Sequence, residues 1–223
     1  MKSVHRIFLF VLLTAASVAA VSKASAQAVM PIRIGDQAPA FALLGVDGKE
    51  YSLDSFKDAK VLVVVFTSNH CPTCIAYEDR MIDLAKKYKD KGVAFVAISA
   101  NDPLALRLDE MGYTDLGDTF DDMKLRAKDK EFNFPYIYAG EQQDIARRFG
   151  HTNTPEVFVF DADRKLQYRG RFDDSIDPTQ VRSEDLADAV DAVLEGKKPV
   201  VQWTQPRGCS VKWSSKRQSG IAS

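Results

Sequence analysis

Two apolar runs of strand length, Val61-Leu62-Val63-Val64-Val65-Phe66 and Val93-Ala94-Phe95-Val96-Ala97-Ile98, flank a segment patterned as a helix, and nothing else in the chain restricts its fold as strongly. Neither run contains a polar residue and both are rich in β-branched side chains, as in strands buried on both faces. Between them, apolar side chains recur at helical spacing from about residue 75 to Asp90. Pro72 suits the first helical position, because its φ is preset and its missing N–H would have no partner there. Gly92 is placed as the helix C-cap. A strand, a helix and a second buried strand call for a parallel pair joined by a right-handed crossover.

The junction between the first strand and the helix reads Ser68-Asn69-His70-Cys71-Pro72-Thr73-Cys74. Cys71 is expected to cap the helix, where unpaired N–H groups and the positive end of the dipole favour thiolate over thiol. Thiolate is the reactive form. Cys74 follows one turn later on roughly the same face, within reach of a disulfide. A pair of inert buried cysteines or a structural disulfide is the alternative. A zinc site would need two more ligands, and outside the first 26 residues the chain offers one other cysteine, Cys209, and two histidines, His70 and His151.

Residues 1–26 have the pattern of a secretory signal peptide: Lys2 and Arg6, then an apolar core from Ile7 to Ala20, then Ala24-Ser25-Ala26 as a cleavage site. That core falls short of the roughly 20 residues that span a bilayer, so no stable membrane insertion is expected after cleavage. Export, periplasmic or extracellular, would put the thiols in an oxidising compartment. Residues 27–195 are expected to form one domain, and they carry 21 basic and 31 acidic residues. Residues 196–223 carry six basic and no acidic residues. The six charges are dispersed among Trp203, Trp213, Val200 and Val201, so this basic tail is expected to pack on the acidic body and not on nucleic acid.

Along the rest of the chain, Phe41 to Leu44 and the turn Asp47-Gly48-Lys49 predict an N-terminal β-hairpin. Asn101-Asp102-Pro103 ends the second strand on the side where open α/β sheets place ligands. An irregular, mostly helical stretch runs to Phe132, followed by a short strand at 134–138 and a short helix at 141–149. Residues 156–161 and 165–171 pattern as a hairpin and residues 183–194 as a last helix.

This order, with Thr154-Pro155 immediately before the hairpin, resembles the thioredoxin fold in its redoxin version. The chain is similar to exported members of the AhpC/TSA, or peroxiredoxin-like, redoxin group. The motifs that carry the likeness are Asn69-His70-Cys71-Pro72, Tyr77-Glu78-Asp79-Arg80, Phe134-Pro135-Tyr136, Thr154 to Asp161, Tyr168 to Asp174 and Gly208 to Trp213. The resemblance implies an α/β fold: a three-layer sandwich with a central mixed β-sheet flanked by helices, an N-terminal β-hairpin and a helical insertion. It also implies that Thr154–Pro155 is cis and faces the thiols. Two departures stand out. His70 replaces the tryptophan that precedes the first cysteine of thioredoxins, and Val64 stands where peroxiredoxins carry a proline, although Ser68 keeps their Thr/Ser place.

The expected activity is thiol-disulfide exchange centred on Cys71, with a protein thiol or disulfide, a small thiol or a peroxide as partner and no cofactor. Cys74 is the first candidate to resolve the mixed disulfide. Cys209 is open to three roles: resolving thiol, structural disulfide or free thiol. His70 is a candidate to lower the Cys71 pKa, against the alternative of an exposed histidine after a strand. Glu78, one turn beyond Cys74, is a candidate proton shuttle, with base rates favouring a solvated residue paired along its own helix. Arg169 and Arg171 are expected to pair with Asp173 or Asp174, and the two tryptophans to anchor the tail by packing. Two other functions compete: a thiol-dependent peroxidase, and a copper-binding protein using Cys71, Cys74 and His151.

Overall fold

The computed structural model describes residues 30–217 except 113, 115 and 142, so the leader assigned to residues 1–26 lies outside the described residues. Its centre is a five-stranded mixed sheet. Strand β3 (Val61–Thr67) is buried along its whole length. It pairs in parallel with β4 (Val93–Ser99), which pairs in parallel with β5 (Tyr136–Tyr138). On its other side β3 pairs antiparallel with β7 (Glu156–Phe160), and β7 with β8 (Leu166–Gly170). The expected N-terminal hairpin, β1 (Ala42–Leu44) and β2 (Glu50–Ser52), forms a separate two-stranded sheet.

Alternation along β3 separates the two faces. Val61, Val63 and Val65 point to one side, where α1 (Pro72–Tyr88) and α4 (Asp185–Leu194) pack through Met81, Tyr88, Leu186 and Val190. Leu62, Val64 and Phe66 point to the other, against the hairpin and α3 (Asp144–Phe149). Each of these large side chains contributes about 1.5–3 kcal/mol by leaving water. The result is the thioredoxin-like three-layer sandwich that the resemblance implied. The helical insertion is two short 3-10 turns, Pro103–Ala105 and Leu108–Glu110, followed by α2 (Phe120–Asp129).

A third piece of sheet had no counterpart in the sequence reading. Strands β6 (Asn153–Thr154) and β9 (Cys209–Ser210) pair antiparallel, with Thr154 opposite Cys209. They are two residues long, too short to leave a periodic pattern. The pairing brings the tail back across the domain. Thr204 shares a hydrogen bond with the Tyr168 hydroxyl at 2.7 Å, Lys212 pairs with Glu110, and Arg217 Nε meets Asp102 Oδ2 at 2.6 Å. Trp213 is half-buried against the core under the Arg147 guanidinium, whereas the Trp203 side chain is exposed and only its backbone bridges to Arg169. Trp203 is therefore not the packing anchor expected of it.

The two arginines of the Tyr168–Asp174 motif also differ from expectation. Arg169 Nη2 pairs with Glu156 at 2.6 Å and Arg171 Nε with Asp185 at 2.6 Å. Asp173 is taken by Arg80 and the Tyr77 hydroxyl, and Asp174 accepts backbone N–H groups of Arg182 and Ser183. Sequence neighbours lose these pairings because β7 presents Glu156 to Arg169, α4 presents Asp185 to Arg171, and Arg80 of α1 occupies Asp173.

Candidate active site

Cys71 is the N-cap of α1, in extended backbone, and Pro72 opens the helix. The thiol is fully buried and lies 3.3 Å from the carbonyl oxygen of Thr154. The Thr154–Pro155 peptide is cis. All three cysteines are free, with Cys74 buried and Cys209 partly so. The structure thus gathers Cys71, Cys74, Cys209, Thr154 and Pro155 at the carboxyl end of β3.

Electrostatics separate the three thiols. Cys71 is held far below the ordinary thiol range, first by the Cys209 thiol and then by the Cys74 thiol as donors, with the N–H groups of Cys74 and Cys209 adding to them against the cost of burial. The N–H of Cys74 faces the sulfur without closing a side-chain cap. The Thr154 carbonyl is an acceptor and favours the thiol, but it faces four donors that favour the thiolate. Burial pushes Cys74 up, and its role as donor to Cys71 pushes it further. Cys209 is raised mainly by its hydrogen bond to Cys71. One sulfur is therefore prepared as thiolate and two as thiols around it.

Ser68, at the position that matches the peroxiredoxin Thr/Ser, turns to Cys74 and not to Cys71. Its hydroxyl is 3.8 Å from Cys74 Sγ and 3.3 Å from Thr154 Oγ1. His70 is buried, not exposed, and its Nδ1 lies 2.6 Å from Asp118 Oδ2. Among the described residues its Nε2 has no hydrogen-bond partner. The same carboxylate accepts the Asn69 N–H at 2.8 Å and the Asn101 side-chain amide at 2.7 Å, while Tyr136 donates to Asn69 Oδ1 at 3.0 Å. Asp118 thus holds the loop that carries Cys71. The sequence reading missed it, since it sits in an irregular stretch with no motif around it.

Glu78 departs from the base-rate expectation. It is buried, 3.2 Å from Arg126 on α2 and 3.7 Å from Lys130 at the end of that helix, and not solvated beside Lys86 or Arg80. Burial raises its pKa, against the pull of Arg126 and Lys130. The cause is the insertion, which lays α2 over the first turns of α1.

His151 does not join the cysteines. It is fully buried, stacked on Phe66 at 4.2 Å between ring centroids and 3.1 Å from Glu156, with its pKa lowered by burial. Among the described residues no group of three or more His, Cys, Asp or Glu side chains is arranged to hold a metal ion. A cleft of about 300 Å³ opens beside the site, lined by Thr73, Tyr77, Pro155, Phe172 and Arg207 among others.

The sequence model of the redoxin family matches residues 33–185. The chain belongs to the redoxin family. This redoxin is 27% identical over 135 residues to the thiol-disulfide oxidoreductase ResA of Bacillus thuringiensis subsp. konkukian, a match covering 60% of this chain and 68% of the relative. It is 33% identical over 148 residues to the chloroplastic peroxiredoxin Q of Gentiana triflora, covering 62% of this chain and 59% of the relative. Among solved structures, a hypothetical protein of Sinorhizobium meliloti 1021 is similar at 33% identity and a TM-score of 0.73, covering 83% of this redoxin and 97% of that chain. Family and fold together make the chain an oxidoreductase of thioredoxin-like architecture.

Proposed function

We propose that this redoxin is an exported thiol-disulfide oxidoreductase whose nucleophile is Cys71. The observation that carries the reading is the thiolate position itself: a sulfur at a helix N-cap, faced by two thiols and two N–H groups that lower its pKa. Cys71 thiolate attacks a substrate disulfide, the substrate's departing sulfur takes a proton, and a second thiol displaces the substrate from the mixed disulfide. Cys74 and Cys209 both adjoin Cys71. Thr154 and cis Pro155 shape the face against which the substrate sulfur docks, beside the cleft lined by Tyr77 and Arg207. Glu78, buried one turn along the helix from Cys74, is the proton acceptor in this reading, and His70 positions the loop through Asp118.

The turn of Ser68 towards Cys74 supports disulfide exchange over peroxide reduction, because the hydroxyl is not aimed at the Cys71 sulfur. The test is reduction of insulin disulfides by a dithiol reductant. Catalysis is expected with the wild-type chain and lost with Cys71→Ser; full activity in Cys71→Ser overturns the reading. Export is tested by the N-terminus of the secreted chain, expected at Gln27, and a chain retained in the cytoplasm with Met1 intact overturns it.

A further inference from the structure

We propose that Cys209 is the thiol that resolves the mixed disulfide on Cys71, and that an external dithiol reductant returns electrons through the same sulfur. The proposal rests on the disulfide-exchange reading above and concerns which second thiol completes it.

Three observations carry it. The first is register: β9 places Cys209 opposite Thr154, the residue whose carbonyl touches the Cys71 sulfur at 3.3 Å, and Thr154 Oγ1 reaches back to the Cys209 carbonyl at 3.4 Å. The second is the residue before it. Gly208 has φ +143°, and a Cβ there would lie 1.9 Å from the Thr154 oxygen and 3.2 Å from Pro155 Cδ. Backbone this close to the cis-proline segment admits only glycine. Gly208 is thus the positioning residue that lets Cys209 approach.

The third is access. Cys71 and Cys74 are both 0% exposed, whereas Cys209 is partly open to solvent, so of the three sulfurs it is the one an outside thiol meets. Cys74 lies below, toward Ser68 and the interior. The tail is fixed on either side of this segment, by Thr204 to Tyr168 and by the backbone of Lys212 to Asn101 Oδ1 at 2.9 Å. Between those anchors the β6–β9 pair holds it to the site, a short contact that can open to admit a substrate and close again.

The sequence of steps balances. Cys71 thiolate attacks the substrate disulfide R–S–S–R′, forming Cys71–S–S–R and releasing R′S⁻. The Cys209 thiol, deprotonated as it attacks, forms Cys71–S–S–Cys209 and releases RS⁻. The single proton of the Cys209 thiol passes to one of the two departing thiolates, the other leaves as thiolate, and the substrate has gained two electrons. An external dithiol then attacks the Cys209 sulfur. Cys71 leaves as thiolate, the better leaving group of the pair. The second thiol of the reductant frees Cys209, and the reductant departs as a disulfide.

Single-turnover reaction with one equivalent of an aromatic disulfide separates the steps, since each releases a coloured thiolate. Wild type and Cys74→Ser are expected to show both phases, with a Cys71–Cys209 disulfide on mass mapping. Cys209→Ser should keep the first phase and slow the second at least about tenfold, and Gly208→Ala, with all three thiols intact, should do the same. A second phase that keeps its wild-type rate in Cys209→Ser overturns the proposal, as does one that survives Gly208→Ala unchanged. Mercaptoethanol added to oxidised Cys74→Ser should leave its adduct on Cys209; an adduct on Cys71 overturns the reductant's route. Loss of Cys71 dependence in the first phase would instead sink the reading on which the proposal rests, so the two failures are distinguishable.

Discussion

The imidazole Nδ1 of His70 and Oδ2 of Asp118 lie 2.6 Å apart with both side chains almost fully buried, joining the residue before Cys71 to a loop 48 positions later in the chain. Asn101 reaches the same carboxylate and, through its Oδ1, accepts the N–H of Lys212. One buried carboxylate therefore connects the thiol loop, the end of β4 and the tail.

Removing that carboxylate leaves several buried donors without a partner. Asp118→Ala is expected to cost about 3–5 kcal/mol, and Asp118→Asn, which keeps part of the hydrogen bonding, about 1–3 kcal/mol. Urea unfolding measures both. Equal losses in the two variants would show that the hydrogen bonds and volume kept by asparagine contribute nothing, and that the carboxylate charge carries the whole effect.

Cys71 should titrate far below the ordinary thiol value of 9.0, visible as thiolate ultraviolet absorbance that Cys71→Ser removes. A pKa depressed in the folded state gives stability that is full above the unfolded thiol's pKa and is lost as pH falls through the folded one. The stability of wild type relative to Cys71→Ser should therefore rise with pH up to about 9 and then level. Cys209→Ser should move the Cys71 titration upward, because the Cys209 thiol is its first donor.

Glu78 has the opposite sign. Burial raises its folded pKa above the unfolded value, so its contribution is greatest in acid and is lost as pH rises through the folded pKa. Compared with Glu78→Gln across a pH series of unfolding curves, wild type should lose relative stability between acid and neutral pH. A flat difference would mean that Arg126 and Lys130 fully offset the burial.

Arg169 binds the fully buried Glu156 through Nε and Nη2, at 3.2 and 2.6 Å, and His151 lies on the carboxylate's other oxygen. Arg169→Ala strands a buried charge and is expected to destabilise by about 3–5 kcal/mol. His151, its pKa lowered by burial, should lose its contribution as pH falls below its ordinary value of 6.5. Thermal unfolding between neutral and mildly acid pH reads both, and neither change should shift the Cys71 titration.

What could be read along the chain was what neighbouring residues decide between themselves. The continuous apolar runs at 61–66 and 93–98, Pro72 and Gly92 at the helix ends, and Cys71 at the cap all follow from local periodicity and backbone preference. Burial on the polar side of α1 did not. His70 and Glu78 have the composition of exposed residues, and only the docking of α2 and the Asp118 loop encloses them. The Arg169 and Arg171 partners were misread because the nearest acidic residues in sequence are not the nearest in space.

The sequence by itself determined the strand–helix–strand unit and the two thiols at its junction, because hydrophobic period, proline and glycine act over a few residues. Tertiary structure alone decided the setting of those thiols. The pairing of Thr154 with Cys209 spans 55 residues and involves strands of two residues each, whose register depends on Gly208 having no side chain and on anchors at Tyr168 and Asn101. Contacts of that kind are made by closure of the whole chain, so they have no local pattern from which to be read.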